Sequence, residues 1–463
     1  MFRYFNNKEG EHKMSATTGF PQNFLWGAAT ASFQVEGYPR EEGGGESVWE
    51  RFCTMPGRIA SDHNGNVGPA QFKKFKDDVQ LMKWLGIKAY RMSIAWSRVF
   101  PDGETLNPRG LDYYNRLIDE LLANGIDPWV TMFHWDHPQA LEDKFGGWRS
   151  KDTVKAFGNY VAYVTDKISD RVTNFFTVNE IMCFTSSSYG SGCHAPGLQL
   201  DNKTVNQSVH NGCLAHGTAL QAIRTHARRP VKVGIVENMA VTVPAFASEE
   251  NVRAARTAFR IYSGSRLTAM LEGKYPDFQL EEWGKDAPEY DDAEMKLIGQ
   301  PMDFVGCNVY APVYVMADPN AKHGYREIPL PAGYPKMDMP WLHVGPDITY
   351  WAPRFLKEIW NVDAVYITEN GCAAQDKPAS DGEIYDTDRT MYLRHHFLAA
   401  QRATAEGWPL KGYFVWSLMD NFEWSWGYTK RFGIVYVNYE TLERIPKLSA
   451  KFYRETIRQN AVV

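Results

Sequence analysis

Cysteine is scarce in this chain, at six of 463 residues. Cys53, Cys183, Cys193, Cys213, Cys307 and Cys372 are scattered without paired metal-ligand spacing. Neither a disulfide framework nor a zinc site is therefore expected, and the thiols are expected to be free and buried. No apolar stretch reaches the roughly 18 residues that would suggest a membrane span. Positive charge is not in excess: 50 Lys and Arg stand against 55 Asp and Glu, for a net charge of −5 and a pI near 6.2. Such a chain has no basic field to recruit nucleic acid or an anionic membrane, and a small neutral ligand suits it better. The opening segment, Met1 to Lys13, is polar and has no apolar core of a secretory signal, so a cytoplasmic protein is expected, with Met14 as an alternative start. On that reading the sequons at Asn202-Lys203-Thr204 and Asn206-Gln207-Ser208 carry little weight. No GxGxxG after a strand, no P-loop and no HExxH occurs, so nothing points to a nucleotide cofactor or a zinc hydrolase.

Aromatic residues, by contrast, are plentiful: 15 Trp, 24 Tyr and 25 Phe. Flat rings with a hydrogen-bonding edge suit sugar faces and also suit a large core, and composition does not separate the two. Hydrophobic residues at 44% and charged residues at 23% are ordinary globular usage. The length fits several ordinary domains or one α/β barrel with long loops.

Short β-branched or aromatic runs alternate with helical patterns along the chain, the mark of a parallel sheet. Eight such runs are predicted: Phe24 to Ser32, Ile87 to Ile94, Asp127 to His134, Asn174 to Glu180, Lys232 to Asn238, Met302 to Tyr310, Ala364 to Asn370 and Leu410 to Leu418. Amphipathic helices are predicted between them, among them Phe72 to Leu85 and Leu111 to Asn124, the second stopped at Asn124-Gly125. Sequential right-handed crossovers close eight parallel strands into a barrel without edges. The expected fold class is thus α/β, a single (β/α)₈ TIM barrel over residues 20–463 preceded by a polar extension over 1–19; an open doubly wound sheet is the alternative.

The ends of the runs favour the barrel. Arg91 lies in the second, and the third ends in His134-Trp135 and the fourth in Asn179-Glu180. The sixth ends in Asn308 and Tyr310, the seventh in Glu369-Asn370 and the eighth in Trp416. Buried polar groups need partners, so one polar cavity at the C-terminal face of the strands accounts for all of them. Within it, Glu180 and Glu369 are the best candidates for the two carboxyl groups that retaining glycoside hydrolysis needs, one to protonate the leaving oxygen and one to attack the anomeric carbon. The acid must hold a proton that the nucleophile has lost. Proximity supplies part of that difference, and Arg91, if it reaches Glu369, favours charge there. The residues by themselves do not prove the order of events.

Longer motifs carry a resemblance. Phe24-Leu25-Trp26-Gly27-Ala28-Ala29-Thr30-Ala31-Ser32-Phe33-Gln34-Val35-Glu36-Gly37, Tyr90-Arg91-Met92-Ser93-Ile94-Ala95-Trp96-Ser97-Arg98, Thr177-x-Asn179-Glu180, Tyr189-Gly190-Ser191-Gly192-x-His194-Ala195-Pro196-Gly197 and Thr368-Glu369-Asn370-Gly371 occur in this order. Together they resemble the family 1 glycoside hydrolases, the β-glucosidase family, from about Phe20 to Arg454. The resemblance implies that Glu180 is the acid/base and Glu369 the nucleophile. It implies that Gln34, His134, Asn179, Glu423 and Trp424 hold the glycone, and that Trp416 stacks beneath the ring. It implies that Asn308 and Tyr310 orient the nucleophile, and that Trp135, Trp341 and Phe432 form aromatic walls. Gln34 offers a donor and an acceptor to adjacent hydroxyls, Glu423 can accept two hydrogen bonds from a vicinal diol, and Asn179 is suited to the 2-OH.

Two departures stand out. Ile181-Met182 follows the acid/base where the family usually has Pro, which puts the leaving-group loop in question, and Met92 and Ala95 replace a common Phe and Ser. Glu423 is expected to repel a 6-phosphosugar. The expected activity is that of an exo-acting β-glucosidase, with β-galactosides or β-fucosides as further substrates, no cofactor, and a small-molecule β-glycoside as the partner. A homo-oligomer is compatible with the sequence. The rival readings are a sugar-binding protein that kept the fold and an oxidoreductase or metal hydrolase. Variable loops, including Ala317 to Trp341, are expected to shape the aglycone side.

Overall fold

The computed structural model describes residues 19–463. Eight parallel strands close into a ring: β1 (Leu25–Ala29), β2 (Ala89–Ser93), β3 (Asp127–Thr131), β4 (Asn174–Asn179), β5 (Lys232–Asn238), β6 (Phe304–Asn308), β7 (Val365–Asn370) and β8 (Leu410–Trp416). Each pairs with the next, and β8 returns to β1 with Trp26 opposite Tyr413 and Ala29 opposite Trp416. The open doubly wound sheet is thereby excluded. A major helix follows each strand: α1 (Gln71–Leu85), α2 (Asp112–Ala123), α3 (Lys151–Ile168), α4 (Asn202–His226), α5 (Glu249–Glu272), α6 (Ile348–Trp360), α7 (Thr387–Ala405) and α8 (Leu448–Gln459). The polar extension expected over 1–19 falls, Gly19 excepted, outside the described residues.

Local chemistry explains the elements. In α1 the buried Phe72, Phe75, Val79, Met82 and Leu85 recur at steps of three and four residues and form one stripe, and Gly86, at φ +82°, turns the chain out of the helix. Helix α2 ends as expected at Asn124 and Gly125, the latter at φ +72°. The floor of the barrel is aromatic. The ring of Trp129 lies 4.8 to 5.6 Å from those of Phe176, Phe304, Tyr366 and Phe414. Glycine makes room for them: a Cβ on Gly27 would come within 2.5 Å of the Phe414 ring, and one on Gly234 within 2.4 Å of Phe304. Much of the aromatic excess is therefore core.

The expected strands run past the observed ones mainly at their C-terminal ends, and the reason is functional geometry. Glu180 (φ +54°), the last residue of the expected fourth run, sits in a left-handed conformation that a ladder does not accommodate, and Trp135 (φ +78°) turns the chain just beyond the expected third run. The register also slips between Phe176 and Asn179 on β4 and between Ile367 and Glu369 on β7, the kind of irregularity that re-aims a side chain next to a site. The thiol expectation needs one correction. All six cysteines are free, but Cys193 is exposed in the loop before α4 and Cys53 is half-buried. Among the described residues, no helix is long and apolar enough to cross a membrane, and no His, Cys, Asp and Glu group could hold a metal ion.

Candidate active site

The C-terminal ends of the strands surround a cavity of about 960 Å³, counting its open mouth. Two of its walls are Glu180 and Glu369, both nearly fully buried. Glu369 is held on both oxygens: Oε1 accepts from Arg91 Nη1 at 2.6 Å and Oε2 from Tyr310 Oη at 2.7 Å. Arg91 has no exposed surface and satisfies its fork by donating also to Asn179 Oδ1 (2.6 Å), Thr131 Oγ1 (3.2 Å) and the Thr368 carbonyl (3.3 Å). Its guanidinium rests 5.3 Å from the Phe176 ring, so the charged layer lies directly on the aromatic floor.

Glu180 has a different setting. Its Oε1 accepts from Asn308 Nδ2 at 2.5 Å and its Oε2 from Cys183 Sγ at 3.0 Å, both neutral donors. Burial raises its pKa most, the neighbouring Glu369 charge raises it further, and it stands at about 7. Burial also pushes Glu369 upward, but there the Arg91 guanidinium opposes it, aided by Tyr310 and Asn308. The pair thus places the proton on Glu180 and the charge on Glu369. Asn308 sits between them: it was expected on the nucleophile, and it lowers Glu369, yet its short hydrogen bond goes to Glu180.

The other expected residues fall into two groups. His134, Trp135, Tyr310, Trp341, Trp416, Glu423, Trp424 and Phe432 line the cavity. Gln34, Arg91, Asn179 and Asn308 lie behind the wall. The oxygen of Asn179 is already taken by Arg91 and Asn308, and its Nδ2 donates to His134 Nε2 at 3.2 Å, so the second amide hydrogen is what it has left for a sugar hydroxyl. That bond assigns the His134 proton to Nδ1. Burial, with Arg91 nearby, keeps this ring neutral. Gln34 donates to the Phe422 carbonyl and Asn421 Oδ1, next to Glu423. His134 Nδ1, Gln34 Oε1 and Glu423 Oε2 are all buried without a protein partner; the first and last belong to lining residues and are suited to ligand hydroxyls.

Glu423 shares the cavity with the two other carboxyls. Burial, then Glu369 and Glu180, raise its pKa to about 8, because three carboxyls here face one guanidinium. Around it the rings align: His134 is stacked with Trp416 (5.9 Å, 15°) and with Trp424 (6.0 Å, 16°). Trp135 anchors its indole N–H on the Asn179 carbonyl at 2.8 Å and packs on Trp424. At the mouth, Trp341 is 44% exposed and meets Tyr310 edge-on. A buried ion cluster clamps the loop after β8 that carries Glu423, Trp424 and Phe432. In it Lys447 Nζ reaches Asp376 (2.6 Å) and Asp420 (2.7 Å), Arg389 joins Asp376 and Asp386, and Arg431 joins Asp420.

Sequence reasoning missed Cys183, Cys193, His194, Asn238, Met339, Ser425 and Trp426, which also line the cavity. Signals existed for some. Asn238 ends β5, the one strand whose polar end went unused apart from the first, and Ser425 and Trp426 directly follow Glu423-Trp424. His194 lies within a quoted motif, and Met339 within the loop expected to shape the aglycone side. Cys183 and Cys193 carried no signal, being single thiols brought in by the loops after β4.

A blind cavity with a lifted carboxyl facing an arginine-held one, walled by stacked rings and unpartnered hydroxyl-binding atoms, is the working end of a carbohydrate-cleaving hydrolase. The chain belongs to glycosyl hydrolase family 1, whose family model matches residues 16–462. It is 40% identical to Beta-glucosidase A of Acetivibrio thermocellus over 95% of this chain and 98% of that one. It is 41% identical to Beta-glucosidase A of Thermotoga maritima over 96% and 98%. The solved family 1 b-glucosidase from Thermotoga maritima superposes with a TM-score of 0.88 at 40% identity, covering 97% of this chain and all of that chain. The same Thermotoga maritima enzyme has been solved in complex with glucoimidazole and with galacto-hydroximolactam.

Proposed function

We propose that the protein is a retaining, exo-acting β-glucosidase that hydrolyses terminal non-reducing β-D-glucosyl residues by double displacement, with residues 20–463 acting as one hydrolase domain. The observation that carries this reading is the divided electrostatics of the two carboxyls: Glu180 lifted to about 7, Glu369 paired with Arg91 at 2.6 Å. Glu369 attacks the anomeric carbon while Glu180 gives its proton to the leaving oxygen, so the C–O bond to the aglycone breaks as the bond to Glu369 forms. Esterification removes the Glu369 charge that held the Glu180 proton. Glu180, now ionised, takes a proton from water, whose oxygen attacks the same carbon from the face the aglycone left; the ester bond to Glu369 breaks, Glu369 leaves as a carboxylate, and the β configuration is restored.

The cavity supports exo action, because its unpartnered hydroxyl-binding atoms are buried while Trp341 and Trp426 are partly exposed at the mouth. One sugar is held inside and the aglycone points outward. β-Galactosides and β-fucosides are proposed as further substrates, and the partner is a small-molecule β-glycoside rather than nucleic acid or membrane. A cytoplasmic location is proposed, checked by fractionating the source cells. An aryl β-glucoside assay with proton NMR of the first product tests the reading. It expects β-glucose first and activity abolished in Glu369→Ala; α-glucose first, or activity that survives in that variant, overturns it.

A further inference from the structure

Glu180 is aimed mainly by its backbone. Glu369 is gripped by a guanidinium and a phenol, whereas the Glu180 carboxyl meets only an amide and a thiol. Its own residue holds φ +54° and ψ +77°, a conformation that needs outside support. Strand β5 provides that support on both sides of the Glu180 Cα. The Glu180 N–H donates to the Val236 carbonyl at 2.9 Å, and the next N–H, of Ile181, donates to Glu237 Oε1 at 2.8 Å. Ile181 opens a one-turn helix, where an N–H has no partner within the helix, and it is wholly buried, so water does not take the place of Glu237. Glu237 is itself buried, and its other oxygen accepts from Arg266 Nε of α5 at 2.8 Å.

We propose that Glu237, braced by Arg266, is a positioning residue that takes the Ile181 N–H and so fixes the direction in which Glu180 delivers its proton. The proposal rests on the reading of Glu180 as the acid/base. Glu237 touches no reacting atom. The two donors, Ile181 N–H and Arg266 Nε–H, sit on different oxygens of Glu237, and an amide of the same shape would turn its NH2 group toward one of them. Proline at the first helical position carries no N–H and fits helical φ there, so Ile181→Pro removes one of the two demands.

The test compares two substrates. 2,4-Dinitrophenyl β-glucoside has a leaving group that departs without a proton; methyl β-glucoside has one that needs it. In Glu237→Gln the ratio of kcat/KM for the methyl glucoside to that for the dinitrophenyl glucoside is expected to fall about tenfold, the size of one buried hydrogen bond lost from the acid's support. Adding Ile181→Pro to that variant is expected to bring the ratio back to within about twofold of wild type. Glu237→Leu should deepen the selective loss, and the amide variant carries the test alone if leucine does not fold. An equal fall on both substrates, no fall, or no recovery with Ile181→Pro overturns the proposal. Failure of the underlying reading looks different: wild type would then turn over neither glucoside, or Glu180→Ala would lose both glucosides equally rather than the methyl glucoside selectively.

Discussion

Replacing Glu369 with glutamine removes one negative charge from beside Glu180 while keeping the shape of the cavity. Glu180 stands at about 7 against an ordinary 4.5, for three upward causes, burial first, the Glu369 charge second and the Glu237 charge last. Two unit charges about 5.5 Å apart, the spacing retaining chemistry uses, repel by roughly 3 kcal/mol at an effective dielectric of about 20, and 1.36 kcal/mol is worth a tenfold change in proton affinity. Water at the mouth of the cavity screens part of this, so the drop should be about one to two pH units. In Glu369→Gln the Glu180 carboxyl is therefore expected to titrate between about 5 and 6, still above its ordinary value because burial remains. Carbon-13 NMR of protein labelled at the glutamate carboxyls reads this directly, with Glu180→Gln in the same background to assign the signal. A midpoint that stays near 7 or rises would refute the coupling between the two groups. In wild type, kcat/KM should fall as pH rises through about 7, since the form of Glu180 lost there is the proton donor.

Three further outcomes follow from the same geometry. Arg91→Met strands a buried carboxylate and is expected to cost about 3 to 5 kcal/mol in urea unfolding and to shift the acid limb of kcat/KM upward, because Glu369 then holds its proton to higher pH. Trp129→Ala empties the centre of the aromatic floor; a loss of about 3 to 5 kcal/mol is expected by chemical denaturation, and a loss below about 1 kcal/mol would show that the floor is not the packing core of the barrel. Trp426→Ala, at the mouth, should raise KM for aryl β-glucosides about two- to tenfold while the KM for methyl β-glucoside moves less, the loss of one stacking contact.

Much of this molecule was legible in the sequence because its parallel strands are short apolar runs closed by residues that do not belong in a core. Asn179-Glu180 and Glu369-Asn370 announce themselves in that way, and the contacts of Arg91 and Tyr310 with Glu369 are what support the roles proposed for the two. What sequence could not show is three-dimensional. The left-handed turns at Glu180 and just past the third strand at Trp135 have no local pattern that reveals them. Burial of Glu423 beside two other carboxyls raises its pKa, a collective effect of residues far apart in the chain. Asn179 reads as a hydroxyl binder but spends its oxygen on Arg91 and Asn308. Cys183, Cys193 and Trp426 reach the cavity through loops whose path depends on packing against distant elements, and Glu237 gained meaning only when Ile181 was found above it.

The central claim is that Glu369 becomes covalently attached to the sugar. A 2-deoxy-2-fluoro-β-glucoside with an activated leaving group forms the first ester and slows its hydrolysis, and peptide mass spectrometry locates the label. The account expects the fluoroglucosyl mass on the peptide containing Glu369 and nowhere else; a label on Glu180 or another residue, or an enzyme that turns over glucosides yet never accumulates the adduct, would contradict it.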